Sequence, residues 1–401
     1  MNIKKFKLMS GSTESVYDLV DALAVHKPDV AIGNVLDYGA IGDGVSDDTA
    51  AFVSAINECS AIYVPVGHTF NVNLSFSKNN FAIIGGGPNS RVNGKIEIHD
   101  SRFVTITNIS FDGNDDIFTV ENCSYVYISN MTAGFWATNN RTMVIKGTCQ
   151  CIYVNGSTFS NGKTACLYLE SAENQVMNDL NFTDCWFGYH REDGYFIEQN
   201  NVLISCKGVI QALSFVGCEM TNGKYAFKIT GTGNCRHLKF VNSYFDGYTL
   251  WPAIVKCCEI SNTWFSGRTG VDAHQFIGCG GVKIFGSTFC TAQFGAIGTA
   301  DVKISDNADV LISGCTFAGS AQTGIAITTA NRVWISECEF SKDATFGNYP
   351  NLETCVFIDN TFSGRLFLES NDFSTLTNGV VGAGTNAVLK FSNNYGVADT
   401  E

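Results

Sequence analysis

The chain has 401 residues, 25 Lys and Arg residues against 38 Asp and Glu residues, and a formal charge of −13 at pH 7. Forty-five per cent of the residues are hydrophobic, which is enough for a large core and excludes wholesale disorder. An acidic chain lacks the basic face that a DNA-binding protein needs, and no apolar run approaches the ~20 residues of a membrane helix. We therefore expect neither nucleic-acid binding nor membrane insertion.

The first residues carry the positive charge of a signal peptide, but no apolar segment follows them. We therefore expect no secretion by that route. An amphipathic stretch at residues 16–23 lies within a separate N-terminal segment, residues 1–33, that precedes the first recognisable pattern.

Residues 34–70 precede the repeats and have a pattern of their own. Residues 34–49 lead into a short helix that Asp47 or Asp48 can cap. Three apolar residues of this helix share one face: Phe52, Ile56 and Cys59. A strand at residues 62–65 then turns at Gly67.

From residue 104 onward a short pattern recurs: an alternating apolar strand, a small polar pair, an aromatic residue and often a glycine. The aromatic positions are Phe111, Phe159, Phe187, Phe245, Phe265, Phe289, Phe317, Phe340 and Phe362. Neighbouring positions are usually 20 to 28 residues apart. A strand pattern with this period indicates a solenoid, because a single unit cannot bury its apolar face alone.

Two further columns accompany the aromatic one. Two residues before the aromatic stand small side chains that we expect inside the coil: Ser157, Cys185, Ser243, Thr263, Cys315, Cys338 and Asn360. Two residues after it stand glycines for which we expect a positive φ: Gly113, Gly247, Gly267, Gly319 and Gly364. The columns predict an all-β fold, a parallel β-helix over residues 34–395 with a short N-terminal capping helix and a tail at residues 396–401.

The sixteen cysteines fit this interpretation. They amount to about one residue in 25, below the density of a disulfide scaffold, and the adjacent Cys257 and Cys258 are poorly placed for one metal ion. We expect reduced thiols packed as small hydrophobic side chains, as in a protein that folds in a cytosol, with no metal and no cofactor.

Residues 34–70 resemble the opening of the pectate-lyase-like β-helix superfamily, in which a YGAxGDGxxDDTxAF segment is followed by IYVPxG. The resemblance implies a right-handed helix whose open end this segment caps. We therefore interpret Asp43, Asp47 and Asp48 as structural residues rather than metal ligands. The same opening occurs with several chemistries, so it indicates the fold and not the reaction.

The absence of certain motifs indicates which members of the superfamily the chain resembles less. Polygalacturonases carry the series Asn-Thr-Asp, Asp-Asp, Gly-His-Gly and Arg-Ile-Lys, and this chain lacks that series because residues 113–116 form only a lone acidic turn. The Arg-x-Pro-x-x-Arg stretch of pectate lyases is also absent. The chain is most similar to bacteriophage tailspikes and depolymerases. That similarity implies a homotrimer that assembles in the host cytoplasm into a virion and hydrolyses a bacterial surface polysaccharide, O-antigen or capsule. Residues 1–33 would then attach the protein to a phage tail or adaptor protein, or cap the trimer.

Glycoside hydrolysis needs two carboxyl groups, one protonated and one ionised. The first candidate segment, residues 188–198, interrupts the coil pattern. Glu192 and Asp193 are the predicted catalytic acids there, with His190, Arg191 and Tyr195 as substrate-binding residues. Adjacent residues of a strand face opposite sides, so we expect one of the two acids to point into a groove. The alternative is a solvated loop.

A second candidate consists of residues 246–251 and 268–274, which we expect one coil apart, so that Asp246 and Asp272 could lie near each other on one exterior face. Asp246 and Asp272 are predicted catalytic acids, and Trp251, Arg268 and His274 predicted substrate-binding residues. A turn role for Asp246 is the alternative.

Two further residues are candidates for the site, and two other functions compete with hydrolysis. Glu170 is a third possible acid, and Trp264 is an aromatic residue that either stacks on a sugar or belongs to the core. The acidic charge favours a neutral or zwitterionic glycan. Competing functions are a non-catalytic adhesin or tail fibre, and a polysaccharide lyase with a Lys or Arg base.

Overall fold

The computed structural model describes residues 5–10, 13–18, 31–134, 139–188, 202–221, 225–229, 234–246, 249–251, 255–266, 274–290, 300–318, 323–341, 352–374, 376 and 378–396. Its main body is a right-handed parallel β-helix, as predicted. Strands Lys5–Ser10 and Thr13–Asp18 pair antiparallel with each other ahead of it. Within these described ranges, no helix has both the length and the apolar character needed to span a bilayer.

Most coils pass through three parallel sheets in the order sheet 1, sheet 2, sheet 3. Sheet 1 has fifteen strands. They are Ile32–Asn34, Ala61–Val64, Phe81–Gly85, Arg102–Thr107, Ser124–Ser129, Gln150–Asn155, Val176–Thr183, Val209–Val216, Asn234–Val241, Cys257–Ser261, Gly281–Phe285, Asn307–Ser313, Ala330–Ser336, Arg365–Glu369 and Val388–Ser392.

Sheet 2 is built from very short strands. They are Ser110–Asp112, Thr132–Ala133, Thr158–Ser160, Trp186–Gly188, Glu219–Thr221, Tyr244–Asp246, Trp264–Ser266, Thr288–Cys290, Thr316–Ala318 and Glu339–Ser341. Two residues always separate a sheet 1 strand from the sheet 2 strand that follows it, from Thr107 and Ser110 to Ser336 and Glu339. This fixed link makes the corner between the two sheets the same in every one of these coils.

Sheet 3 completes the coil. Its strands are Phe118–Glu121, Asn139–Gly147, Gly162–Ser171, Val202–Lys207, Tyr225–Ile229, Thr249–Trp251, His274–Ile277, Ala300–Ser305, Thr323–Ile327, Thr354–Ile358 and Asn378–Val381. In the first coils three strands stand in place of separate sheet 2 and sheet 3 strands: Asp43–Asp47, His68–Phe76 and Ser90–His99.

The N-terminal end of the β-helix is closed by the predicted helix, α1, at Thr49–Glu58, after a 3₁₀ turn at Val35–Tyr38. Phe52 of α1 packs edge-on against Phe70, with ring centroids 5.5 Å apart. The Asp47 carboxylate accepts the first N–H of α1 at 3.0 Å, and the buried Asp48 carboxylate accepts the N–H of Ile41 at 2.6 Å. Both acids therefore have the predicted structural role.

The third acid of this segment, Asp43, is used in the same way. Its carboxylate accepts the N–H groups of Val45 at 2.8 Å and Ser46 at 2.7 Å. These bonds hold the pKa of Asp43 below its ordinary value.

The predicted aromatic column lies inside the β-helix. Phe245, Phe265, Phe289, Phe317 and Phe340 stack from coil to coil with ring centroids 4.7–5.0 Å apart. Each ring is buried. Such offset stacking adds to the hydrophobic stabilisation of the core.

The small side chains before the aromatic residues also lie inside, as predicted. Ser157, Cys185, Ser243, Thr263, Cys315 and Cys338 are buried, and fourteen of the sixteen cysteines are buried free thiols. Asn360 is exposed, so the prediction is wrong at that position. Asn360 lies in the turn between the sheet 3 strand Thr354–Ile358 and the sheet 1 strand Arg365–Glu369, where Asp359 accepts the N–H of Thr361.

The glycine column has a different cause from the predicted one. Gly113 and Gly364 do not have a positive φ. A Cβ at Gly113 would lie 2.6 Å from the carbonyl oxygen of Gly94, so the glycine is needed for close backbone approach. Gly247, Gly267 and Gly319 lie outside the described residues. The left-handed residues instead form the first position of the link between sheets 1 and 2: Asn108, Asn130, Gly156, Asp184, Gly217, Asn242, Asn262, Gly286, Gly314 and Glu337.

Candidate functional site

Ionisable side chains form a row on the outer face of sheet 3. Strand pairing places Glu121 beside Lys146, Lys146 beside Glu170, and Glu170 beside Lys207. Lys146 Nζ lies 2.8 Å from Glu121 and 3.3 Å from Glu97, and Lys207 forms an ion pair with Glu170. Opposite charges therefore alternate from coil to coil, and we call these five residues the charged row.

A second group adjoins the charged row at the N-terminal side of the same strands. Arg141 binds the Asp116 carboxylate through two nitrogens, with Nε 2.8 Å from Oδ1. The Arg141 guanidinium carbon lies 4.5 Å from the centre of the Tyr168 ring, which is within cation–π range. Tyr168 and Glu170 stand two residues apart on one face of the strand Gly162–Ser171. The guanidinium, the phenol and the carboxylate therefore share one surface.

The ion pairs set the protonation states in this site. The hydrogen bond from Lys207 holds the pKa of Glu170 below its ordinary value, and the same bond raises the pKa of Lys207. Burial alone would raise the pKa of Glu97, but its contacts with Lys146 and Lys95 outweigh that effect and the pKa is lowered. Burial and the neighbouring Glu170 raise the pKa of Tyr168. Glu170 and Glu97 are therefore ionised at neutral pH, and Tyr168 is not.

The charges of the site balance. Four carboxylates are joined to four cations by the ion pairs, which connect Asp116, Glu97, Glu121 and Glu170 with Arg141, Lys95, Lys146 and Lys207. Such a surface offers planar hydrogen-bond partners, an aromatic ring and an ionised carboxylate without an excess of either sign. In the part of the chain that the structure describes, no three His, Cys, Asp or Glu side chains are grouped as metal ligands.

Seven of the ten residues predicted for the site lie outside the described residues. Glu192, Asp193, His190, Arg191 and Tyr195 lie outside the described residues. The segment that carries them, residues 189–201, follows the sheet 2 strand Trp186–Gly188 and precedes the sheet 3 strand Val202–Lys207. The second of these strands contains Lys207, the partner of Glu170.

The second predicted group is also only partly described. Asp272 and Arg268 lie outside the described residues. Asp246 ends a strand of sheet 2, in register with Thr221 and Ser266, and Trp251 ends a strand of sheet 3; their side chains are not described. The roles of these four residues stay predictions.

His274 lies in the core. Its side chain is 2% exposed, and its ring centroid is 4.6 Å from that of Phe265 and 5.8 Å from that of Phe289. Burial lowers the pKa of His274 to about 3, so the imidazole is neutral. A glycan on the outside of the β-helix does not reach this position, and the sequence pattern did not reveal it because the strand begins at His274 itself.

Sequence reasoning found Glu170 but missed its partners. Arg141, Tyr168 and Lys207 each stand at an outward position of a sheet 3 strand. Arg141 lies over the ring of Tyr168, which is one coil away, and Lys207 pairs with Glu170 of the preceding coil. A search for opposite charges at the coil period would have found Glu121, Lys146 and Glu170, which are 25 and 24 residues apart. Lys207 follows Glu170 by 37 residues, because the segment 189–201 lengthens that coil.

One more acid stands apart from this site. Asp301, in the sheet 3 strand Ala300–Ser305, is fully buried, and neither of its carboxyl oxygens has a hydrogen-bond partner among the described residues. Strand pairing sets it beside Gly324 of the next coil, and its charge would act on the Cys290 thiol. Burial raises the pKa of Asp301 well above its ordinary value. Burial therefore disfavours the ionised form of this carboxyl group inside the wall of the β-helix.

Comparisons with known proteins agree with this architecture. The sequence matches the family model described as rhamnogalacturonase A/epimerase, pectate lyase-like, over residues 32–233, and the model of a right-handed beta helix region over residues 269–398. No curated protein matches the sequence.

Three solved phage structures are similar to this chain. Tailspike protein 3 of bacteriophage CBA120 is 18% identical, with a TM-score of 0.61 over 99% of this chain and 66% of that one. Pre-mature gene product 12 of bacteriophage phi29 is 14% identical, with a TM-score of 0.68 over 90% of this chain and 56% of that one. An N-terminal fragment of gene product 12 is 15% identical, with a TM-score of 0.60 over 92% and 72%. At these identities the similarity shows the fold, and this chain spans less than two thirds of the two longer proteins.

Proposed function

Because this chain belongs to the rhamnogalacturonase A/epimerase, pectate lyase-like family, we propose that it binds and hydrolyses a bacterial surface polysaccharide on the outer face of sheet 3, as part of a phage tailspike. The observation that carries the proposal is the arrangement of Arg141, Tyr168 and Glu170 around one surface, with Lys207 beside Glu170. The tailspike similarity is the reason for assigning the polysaccharide to a bacterial surface, O-antigen or capsule.

The proposed reaction assigns the ionised role to Glu170. A hydrolase needs one carboxylate that activates water or attacks the sugar and one carboxylic acid that protonates the leaving oxygen. Lys207 keeps Glu170 ionised, so Glu170 suits the first role and not the second. The proton donor is proposed to be Glu192 or Asp193, whose segment connects Trp186–Gly188 of sheet 2 to Val202–Lys207 of sheet 3, with Asp246 and Asp272 as the alternatives two and three coils further on.

The substrate is proposed to be neutral or zwitterionic. The balanced ion pairs leave no surplus cation to neutralise a chain of uronates, and the net charge of −13 repels a polyanion. Tyr168, held under the Arg141 guanidinium, supplies an aromatic edge beside the carboxylate. A lyase acting on uronates is therefore the less favoured reaction.

A non-catalytic glycan-binding protein is the second candidate. The observation that favours it is that every carboxylate of the described site is already held in an ion pair with a lysine or arginine. An adhesin of this kind would use the same surface to bind the glycan without cleaving it.

The test is release of reducing ends from purified O-antigen and capsular polysaccharides. We expect Glu170→Gln to lower kcat at least about 100-fold while binding persists, because the substitution removes the ionised group and keeps its shape. The matched control is Glu259→Gln, which removes an exposed carboxylate paired with Lys239 on sheet 1. Turnover that survives Glu170→Gln contradicts the assignment, no turnover in the wild type favours the adhesin, and a product absorbing in the ultraviolet indicates a lyase.

The assembly of the particle is part of the proposal. We propose a homotrimer in the virion, assembled in the host cytoplasm, with residues 1–33 as the attachment or capping segment towards a tail or adaptor protein, residues 34–395 as the β-helix and residues 396–401 as a tail. The mass of the full chain in sedimentation velocity tests the trimer, and deletion of residues 1–33 tests the attachment.

A further inference from the structure

A row of aromatic side chains lies on a different face of the molecule, the outer face of sheet 2. Strand pairing sets Trp186, Glu219, Tyr244 and Trp264 side by side on four successive coils. We call these four residues the aromatic row. Each stands immediately before the residue that enters the core, Phe187, Met220, Phe245 or Phe265, so the alternation of a strand directs each outwards. Tyr244 and Glu219 are exposed, and the two tryptophans are half-buried.

The local backbone is shaped for the first ring. A Cβ at Gly188 would lie 2.7 Å from Cζ2 of Trp186, so the indole covers the backbone where residue 188 has no side chain. On the next coil, Thr221 lies directly beside Gly188, with its hydroxyl 2.5 Å from the same point. The glycine is thus what allows the indole to lie against the sheet instead of standing away from it.

The aromatic row continues in both directions as hydroxyl side chains. Thr132 and Thr158 precede it in register, and Thr288 and Thr316 follow it. The eight positions from Thr132 to Thr316 span about 34 Å at the usual spacing of parallel strands. They carry aromatic rings, hydroxyls and one carboxylate, with neither an aliphatic side chain nor a cation.

The composition of these positions indicates the chemical class of the ligand. A site for a polyanion has cations, and none stands at these positions. A group of aromatic rings flanked on both sides by hydroxyl groups suits a neutral polymer that is itself made of rings and hydroxyl groups. The strands of the row also immediately precede the segments that carry Glu192, Asp193 and Asp272, so the face adjoins the candidate site.

We propose that the aromatic row is a second carbohydrate-binding site, which holds a long neutral polysaccharide along the β-helix axis outside the catalytic surface. The proposal rests on the proposed function for the identity of the glycan. Such a site raises the affinity of the protein for polymer through effective concentration, without contacting the bond that is cleaved.

The experiment compares Trp264→Ala and Tyr244→Ala with the wild type on an array of purified bacterial O-antigen and capsular polysaccharides. Trp334→Ala is the matched control, because Trp334 is an exposed tryptophan on sheet 1. We expect each row variant to lower the affinity for polysaccharide about tenfold, with unchanged release of reducing ends from short oligosaccharides. The control is expected to bind like the wild type.

Three outcomes overturn the proposal. Wild-type affinity in both row variants overturns it and leaves the proposed function standing, whereas a wild type that binds no polysaccharide of the array overturns both. A smaller mass of the row variants in sedimentation velocity, with unchanged glycan affinity, assigns the row to contact between copies of the chain. Circular dichroism establishes that each variant is folded, and Tyr244, which is 38% exposed, is the safer position.

Discussion

Replacement of Asp301 by Asn should make the β-helix less sensitive to pH. The side chain is fully buried without a hydrogen-bond partner among the described residues, and burial raises its pKa well above the ordinary value. The folded protein therefore keeps a proton that the unfolded chain releases above about pH 4. The stability attributable to this group is fully present below pH 4 and is lost as the pH rises towards the folded-state pKa, at about 1.4 kcal/mol for each pH unit.

An asparagine at this position is equally buried and polar but does not ionise. The difference in unfolding free energy between Asp301→Asn and the wild type should therefore grow in favour of the variant by about 1.4 kcal/mol per pH unit from pH 4.5 upwards, until the wild-type carboxyl ionises in the folded protein. Urea unfolding at pH 4.5, 5.5 and 6.5 measures it. Asp309→Asn is the control, because Asp309 is an exposed acid paired with Arg332. Parallel pH profiles for the wild type and Asp301→Asn would refute the reasoning.

Two other substitutions test the core and the cap. Phe265→Ala removes a ring stacked between two others and should lower the unfolding free energy by about 3–5 kcal/mol. The control Phe357→Ala changes an exposed ring and should cost less than about 1 kcal/mol. Urea unfolding measures both. Asp48→Ala leaves the N–H of Ile41 without its acceptor and should cost about 1–3 kcal/mol and speed hydrogen exchange at residues 41–42. The exposed Asp37→Ala is expected to do neither, and equal exchange in the two variants would show that Asp48 does not hold this turn.

The fold follows from the sequence because its signals repeat. The coil period, the inward aromatic residue and the small residue before it each recur often enough to outweigh single exceptions such as Asn360. The glycine prediction failed at Gly113 and Gly364 because glycine serves two purposes, positive φ and close approach, which look alike in a sequence. Four of the ten left-handed link positions are asparagines and four are glycines, the residues that tolerate that conformation best.

The candidate site is harder to predict from the sequence, because its residues meet only through strand pairing between coils. Asp116 and Arg141 meet only once the strands are in register, and an acidic turn at residues 113–116 gives no sign of its partner. Glu170 was a candidate by type, but its ionised state depends on Lys207, which is 37 residues away. His274 shows the opposite case, in which a polar residue beside a predicted acid belongs to the core.

The links between strands determine where the chain tolerates a change in length. A one-residue insertion into the two-residue link between sheets 1 and 2 would turn the following strand over and expose its core residue. Between sheets 2 and 3, by contrast, the connection ranges from one residue, between Ser160 and Gly162, to thirteen, between Gly188 and Val202, while the strands that follow keep their pairing. Segments can therefore be exchanged at this one edge with the scaffold left intact, and loop transplantation between related proteins is best attempted there.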